Sequence, residues 1–204
     1  MVSIYELKPA FQGLLRPVTT RLAKAGVTAN QVTIAAVLLS FAGGAAVFMG
    51  HEQRLPLLAV PLVLFVRMAL NAIDGMLARE HNMKSRLGAI LNELGDVVSD
   101  AALYLPYALI AGVSATLVIV VVFLAALVEM IGVVAIQIGA ERRYDGPLGK
   151  SDRAFFFGAI ALLLGAGWLP VRFVDPLLGL ALALSVWTVI RRAKRALAEP
   201  LTES

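Results

Sequence analysis

Residues 71–100 read NAIDGMLAREHNMKSRLGAILNELGDVVSD, a polar stretch within a chain that is otherwise largely hydrocarbon. The stretch places carboxylates, carboxamides, two glycines and an arginine at helical spacings. Carboxylates in apolar surroundings cost free energy unless they bind a cation or take part in chemistry. We therefore treat this stretch as the candidate functional site and interpret the rest of the chain around it.

The composition indicates an integral membrane protein. The 204 residues are 59% hydrophobic and 16% charged, whereas about a quarter of the residues in a typical soluble domain are charged. Several apolar runs exceed about 18 residues, which is the length of a membrane-spanning helix. The absence of cysteine excludes disulfides, thiol catalysis and cysteine metal sites, and two histidines cannot form a histidine-rich metal centre.

The hydrophobic pattern predicts an all-α membrane protein with three parts. Residues 1–28 form an amphipathic helix at the membrane interface and a turn, because apolar residues recur there in steps of three and four with basic residues between them. The alternative for this helix is packing on the protein itself. Residues 29–192 form a six-helix transmembrane domain, and 193–204 form a basic, then acidic, cytoplasmic tail. The spans are expected at about 30–50, 55–80, 87–113, 114–140, 154–169 and 174–191, with Thr28 or Asn30 capping the first.

The basic residues predict the orientation of the spans. With a cytoplasmic N-terminus, fifteen Lys and Arg residues lie on the cytoplasmic side, Arg54 and Arg172 lie on the other side, and Arg67 lies within the membrane. The positive-inside rule therefore favours a multi-pass protein of the cell (inner) membrane with both termini and the 71–100 stretch in the cytoplasm. The basic residues flank apolar segments and form no single patch, so nucleic-acid binding is not expected.

Helical spacing gathers the polar residues of the stretch on two faces. The first face carries Asn71, Asp74, Gly75 and Ala78, and the second carries Gly88, Asn92, Asp96 and Asp100. Oxygen ligands on two antiparallel helices suit a hard cation, Mg²⁺ or Mn²⁺. The glycines allow a phosphate to approach the backbone, and an arginine such as Arg79 matches phosphate oxygens. The alternatives are close helix packing for the glycines and membrane anchoring for Arg79.

The spacing resembles that of the CDP-alcohol phosphotransferase family, whose pattern is Asp-x2-Asp-Gly-x2-Ala-Arg-x8-Gly-x3-Asp-x3-Asp. The corresponding positions here are Asn71, Asp74, Gly75, Ala78, Arg79, Gly88, Asn92 and Asp96, with every gap unchanged. The resemblance implies transfer of a phosphatidyl group from a CDP-linked lipid, most simply CDP-diacylglycerol, to a hydroxyl acceptor. CMP would be released, in phospholipid biosynthesis. The resemblance also implies one or two divalent ions, Mg²⁺ or Mn²⁺, and a homodimer.

The resemblance assigns roles by position. Asp96 would be the catalytic general base and a metal-side carboxylate, and Asp74 would be a metal ligand. The CDP moiety would be lined by Gly75, Ala78, Arg79 and Gly88.

Two positions depart from the pattern, because Asn71 and Asn92 stand where the family has aspartates. Each would supply a carbonyl oxygen to the metal without a charge, so metal affinity is expected to fall. Asp100, one turn beyond Asp96, is expected to restore part of that charge as a further ligand, and it is favoured over Glu93 because it lies on the same helix face as Asp96.

Charged residues outside the pattern give further expectations. Arg67 lies one turn before Asn71 and is expected either to offset the acidic charge of the site or to pair with Glu129, because ions within a membrane are usually paired. The alternative for Arg67 is snorkelling of its side chain toward a membrane interface. Lys150 and Arg153, on the same side as the stretch, are expected to bind an anionic acceptor such as a sugar or polyol phosphate. The alternative for both is positive-inside anchoring.

Two other functions remain open at this stage. A cation- or proton-coupled transporter would also need acidic residues in its spans, but it would place them near the bilayer centre. A catalytically degenerate member of the family would keep the fold as a binding module. The sequence does not identify the acceptor alcohol or the exact lipid donor.

Overall fold

The computed structural model describes residues 4–199, and within them the chain forms seven α-helices. The helices are α1 Ile4–Lys24, α2 Ala29–Met49, α3 Arg54–Glu80, α4 Arg86–Tyr104, α5 Ala115–Gln137, α6 Lys150–Gly165 and α7 Val174–Leu197. Short 3₁₀ turns lie at Leu105–Leu109 and Val171–Phe173. The all-α class is confirmed. Residues 200–204 of the expected tail lie outside the described residues.

Four helical segments in the described part of the chain are long and apolar enough to cross a membrane. They are Ala29–Met49, Arg54–Glu80, Ala115–Gln137 and Val171–Leu197. Helices α4 and α6 do not meet these criteria. Helix α6 has 16 residues and is about 24 Å long, which is shorter than the roughly 30 Å hydrocarbon core of a membrane. Helix α4 is less apolar because it carries polar residues of the site. The predicted count of six spans is therefore not confirmed, whereas the membrane class is.

Side-chain caps fix the ends of the helices that carry the site. Thr28 Oγ1 accepts a hydrogen bond from Gln31 N at 3.3 Å, and Thr28 N donates to Gln31 Oε1 at 2.9 Å. This reciprocal capping box starts α2 and confirms Thr28 as its cap. Ser85 caps α4, because its hydroxyl accepts from Gly88 N at 2.9 Å.

The chain divides into two compact units. Among the described residues, the first comprises 4–42 together with Leu62–Ser99, and the second comprises Gly43–Pro61 together with 100–199.

The first unit is built on a core shared by α1, α2 and α3. Its buried members are Ala29, Val32, Ile73 and Leu77, with Leu15 and Leu22 of α1 packed against them. Leu14 and Val18 of the same helix stay exposed, at 77% and 44%. Helix α1 therefore packs one face on the protein and leaves apolar side chains on another, as an interfacial helix would.

In the second unit, aromatic and capping contacts join its helices. Tyr104 stacks on Phe157 of α6 with ring centroids 4.1 Å apart, and the Tyr107 hydroxyl donates to Phe157 O at 2.9 Å. Ser114 caps α5, and its backbone N donates to Asp175 Oδ1 of α7 at 2.8 Å. These contacts fix the end of α4 against α6, and α5 against α7.

Candidate active site

Asp74 of α3 is a buried carboxylate with a partner on α2. Asp74 is 4% exposed, and its Oδ2 accepts a hydrogen bond from the Thr33 hydroxyl at 2.8 Å. A buried carboxylate needs such partners because desolvation without them is costly. Thr33 is therefore part of the site, although the sequence analysis did not single it out.

Asp96 of α4 has a buried arginine beside it. Arg67 of α3 is 3% exposed, donates from Nη2 to the Asp96 backbone O at 3.2 Å, and lies 3.8 Å from Asp96 Oδ1. The structure therefore shows the first of the two roles expected of Arg67, which was to offset acidic charge at the site. Glu129, its other expected partner, pairs with Arg153 and Arg142.

Gly75 leaves the space that the Arg79 side chain occupies. A Cβ at Gly75 would lie 3.1 Å from both terminal nitrogens of the Arg79 guanidinium. Arg79 thus folds back over the preceding turn of α3 while remaining exposed. An exposed guanidinium held at one helix end is well suited to bind phosphate oxygens.

Gly88 is a point of close approach between α4 and α2. A Cβ at Gly88 would lie 2.7 Å from Asn30 Oδ1 and 3.0 Å from Ser85 Oγ. This spacing agrees with the close-packing interpretation of the glycine. Its N–H is already used by the Ser85 cap.

The carboxylate site, defined as Asn71, Asp74, Asn92 and Asp96, offers a limited set of metal ligands. Within residues 4–199, no three His, Cys, Asp or Glu side chains lie together as a metal group. The site thus combines two carboxylates with two carboxamides, and Asn71, Asn92 and Ala78 are half-buried. Carboxylate and carboxamide oxygens are both ligands that a hard cation accepts.

An apolar groove of about 190 Å³ runs between α2 and α4 in the first unit. It is lined by Thr33, Ile34, Val37, Leu38, Leu91, Leu94, Gly95 and Val98. Thr33 joins this groove to the site, because its hydroxyl is bonded to Asp74. Apart from Thr33 and Gly95, the residues that line it have apolar side chains.

Asp100 and Arg153 pair with each other in the second unit. Arg153 is 1% exposed and donates from Nε and Nη2 to Asp100 Oδ2 at 3.0 and 2.9 Å. Its Nη2 also donates to Glu129 Oε1 at 2.9 Å, and its Nη1 donates to Leu148 O at 3.2 Å. The sequence predicts that Asp100 binds the metal and that Arg153 binds the acceptor. In the structure these two residues form an ion pair with each other.

Leu148 adopts a left-handed backbone conformation beside this pair. Its φ is +59°, which is uncommon for a leucine and is held here by burial and by the Arg153 hydrogen bond. Lys150 begins α6 two residues later and is half-buried.

Arg192 of α7 is a buried residue that the sequence analysis missed. It is 2% exposed, and it donates to the backbone oxygens of Asp145 and Tyr144 at 3.0 and 3.2 Å and to that of Val128. Arg192 therefore holds the loop that follows α5. Polar residues at 185, 188 and 192 share one helix face, which is the signal that could have identified it.

A sequence model described as CDP-alcohol phosphatidyltransferase matches residues 26–189. The chain is 46% identical over 198 residues to the inner membrane protein YnbA of Escherichia coli (strain K12), and the match covers 96% of this chain and 97% of that protein. It is 32% identical over 98 residues to the phosphatidylinositol phosphate synthase of Mycobacterium tuberculosis (strain ATCC 25618 / H37Rv). That match covers 48% of this chain and 43% of the synthase.

Two crystal structures of the Mycobacterium tuberculosis phosphatidylinositol phosphate synthase share the fold. The structure with CDP-DAG bound has a TM-score of 0.75 and 23% identity, covering 90% of this chain and 94% of the synthase chain. The structure in complex with manganese and citrate has the same TM-score and identity, covering 90% and 89%. At this identity the likeness establishes the fold.

Proposed function

The chain belongs to the CDP-alcohol phosphatidyltransferase family, and we propose that it transfers a phosphatidyl group from CDP-diacylglycerol to a hydroxyl acceptor with release of CMP. The observation that carries this proposal is the arrangement within the first unit. Asp74 is buried against Thr33, Asp96 is paired with Arg67, and Arg79 folds over Gly75.

The donor proposal has two supports. A solved relative of the same fold has CDP-DAG bound, and the apolar groove between α2 and α4 reaches Thr33, whose hydroxyl contacts Asp74. A lipid donor needs its acyl chains in hydrocarbon and its diphosphate beside cationic and metal-binding groups. The groove and the carboxylate site together supply both environments.

The CDP moiety is assigned to Gly75, Ala78, Arg79 and Gly88. Arg79 supplies the exposed guanidinium for the diphosphate. Gly75 leaves room for that guanidinium to fold over α3, and Gly88 allows α4 to approach Asn30 of α2 closely.

A divalent ion, Mg²⁺ or Mn²⁺, would be held by the carboxylates of Asp74 and Asp96 and the carboxamide oxygens of Asn71 and Asn92. A solved relative was crystallised in complex with manganese. When bound, the ion supplies charge that neutralises the diphosphate and stabilises the departing CMP. Asp100 is left out of this ligand set because it is engaged by Arg153.

Asp96 is proposed as the general base for the transfer. The acceptor oxygen forms a bond to the β-phosphorus of the donor, and the bond between that phosphorus and the bridging oxygen breaks. CMP leaves with that bonding pair, and the Asp96 carboxylate takes the acceptor's proton. Asp96 is partly exposed, so its carboxylate is accessible to such an acceptor, and Arg67 steadies its position.

The acceptor, the orientation and the oligomer remain predictions from the sequence. Lys150 is proposed to bind an anionic acceptor, and Arg153 is left out of that role because two carboxylates occupy its guanidinium. The distribution of Lys and Arg supports cytoplasmic termini and a cytoplasmic site. Homodimerisation is expected from the family.

The test of the proposal is incubation of the purified full-length protein with CDP-diacylglycerol, Mn²⁺ or Mg²⁺ and a panel of hydroxyl acceptors. Lipid products are identified by mass, and CMP is quantified. Metal-dependent nucleotide binding without CMP release in the presence of any acceptor would instead identify a non-catalytic binding module. The two asparagines, which replace aspartates of the family pattern, make this the second outcome to test.

A further inference from the structure

We propose that Arg67 takes the place of a second divalent cation, so that the carboxylate site holds one metal ion and one fixed guanidinium. This inference rests on the proposed function, because it concerns how the same site is neutralised. In a site with four aspartates, by contrast, two divalent ions would balance the negative charges of the carboxylates.

The charges of the site support a single ion. Asn71 and Asn92 remove two negative charges relative to the four-aspartate pattern, and Arg67 adds a positive charge. Two divalent ions about 4 Å apart repel each other strongly, and carboxylates between them must offset that repulsion. The two carboxylates and Arg67 together leave one net negative charge, so a single divalent ion already exceeds it and a second would add positive charge that no ligand of the site offsets.

The geometry puts the guanidinium beside one of the two carboxylates that a second ion would need. Arg67 Nη2 is 3.8 Å from Asp96 Oδ1 and donates to the backbone O of the same residue at 3.2 Å. Arg67 thus contacts Asp96 at both its carboxylate and its main chain. Any metal at this side of Asp96 would lie within a few ångströms of a permanent positive charge.

Burial makes the guanidinium a fixed part of the site. Arg67 is 3% exposed, and an arginine keeps its charge at every relevant pH. Moving the guanidinium away from Asp96 would break a buried ion pair, which is strongly unfavourable. The positive charge beside Asp96 is therefore present before any metal or nucleotide binds.

Helical register places Arg67 beside a position where the pattern has an aspartate. Arg67, Asn71 and Asp74 lie at steps of four and three residues on α3, so they share a face of that helix. The positive charge of Arg67 therefore lies one turn from the uncharged carboxamide of Asn71.

The test measures metal stoichiometry and does not depend on turnover. Purified full-length protein in lipid nanodiscs is titrated with Mn²⁺ in the presence of CDP, and free Mn²⁺ is followed by electron paramagnetic resonance. We expect one Mn²⁺ per chain. Two ions per chain, or none, would overturn the proposal, and this measurement on the unaltered chain needs no variant to fold.

A pair of matched variants tests the role of Arg67 itself. The triple variant N71D/N92D/R67M restores the carboxylates and removes the guanidinium, so it is expected to bind two Mn²⁺. The control N71D/N92D/R21M removes an exposed arginine instead, and its second Mn²⁺ should bind at least roughly tenfold more weakly. Equal affinity for the second ion in the two variants would overturn the assignment, and thermal melting verifies that both are folded.

CMP release from CDP-diacylglycerol, measured on the same preparation, separates this inference from the proposed function. One bound Mn²⁺ without CMP release supports the inference and contradicts the function. Two bound Mn²⁺ with CMP release supports the function and contradicts the inference.

Discussion

Arg153 donates two hydrogen bonds to a single oxygen of Asp100, from Nε at 3.0 Å and from Nη2 at 2.9 Å. The same guanidinium binds Glu129 at 2.9 Å and the carbonyl of Leu148 at 3.2 Å. Arg153 therefore links α4, α5 and α6 with the loop before α6. An arginine with these partners supports the helices of the second unit and has little capacity left to bind a substrate.

Replacing this arginine should destabilise the protein. In R153M, Asp100 and Glu129 remain buried without the guanidinium, which costs on the order of 3–5 kcal/mol and lowers the melting temperature by roughly 10 °C. The acceptor KM of the remaining folded protein should stay unchanged. R191M removes an exposed arginine of α7 and is the control. A variant with normal stability and a raised acceptor KM would show that Arg153 binds the acceptor after all.

Lys150 is the basic residue still expected to contact an anionic acceptor. The variant K150A should raise the KM of a phosphorylated acceptor roughly tenfold, because a charge-assisted hydrogen bond is lost. The donor KM should change little. Steady-state kinetics with each substrate varied separately give the two constants, and an unchanged acceptor KM would remove Lys150 from the site.

A methyl group at Gly75 should weaken donor binding without unfolding the protein. In G75A the new Cβ would lie 3.1 Å from the Arg79 guanidinium nitrogens, so this flexible side chain must shift. The donor KM should rise about 3- to 10-fold as the phosphate contact weakens, while stability should hold because alanine favours a helix over glycine.

The matched control for that substitution is G179A. A Cβ at Gly179 of α7 would meet nothing within 4 Å, so its kinetics should match those of the unaltered chain. Equal donor KM values for G75A and G179A would argue against a nucleotide site at Gly75.

Filling the apolar groove should discriminate between donors by chain length. In V98F the ring projects into the groove between α2 and α4, so the KM for a long-chain CDP-diacylglycerol should rise while that for a dihexanoyl donor should not. V120F enlarges an exposed valine of α5 that does not line the groove. Equal sensitivity of both donors to V98F would place the acyl chains elsewhere.

Local features of the fold could be predicted from the sequence because they depend on near neighbours. The predicted second span, 55–80, begins one residue after the observed start of α3 at Arg54. Thr28 is one of the two caps expected for the first span, and the capping box that it forms with Gln31 selects it over Asn30. The expected end of the third span was wrong, since α4 stops at Tyr104 and a 3₁₀ turn containing Pro106 follows.

Partners distant in the sequence could not be foreseen. Asp100 and Arg153 are 53 residues apart, and no local pattern states that they meet. Arg191 and Arg192 are adjacent and look equivalent, yet one is exposed and the other is buried against backbone oxygens. Charge alone assigned Asp100 to the metal and Arg153 to the acceptor, whereas the packing of the helices pairs them.

The most direct test of the central claim is CMP release by the purified chain from CDP-diacylglycerol in the presence of Mn²⁺ and a hydroxyl acceptor. We expect release that requires both metal and acceptor, and D96N should lower kcat by about 10²- to 10⁴-fold through loss of the general base. E52Q, at an exposed residue before α3, should keep full activity. Absence of CMP with every acceptor tested, or equal release from D96N and E52Q, would contradict the account.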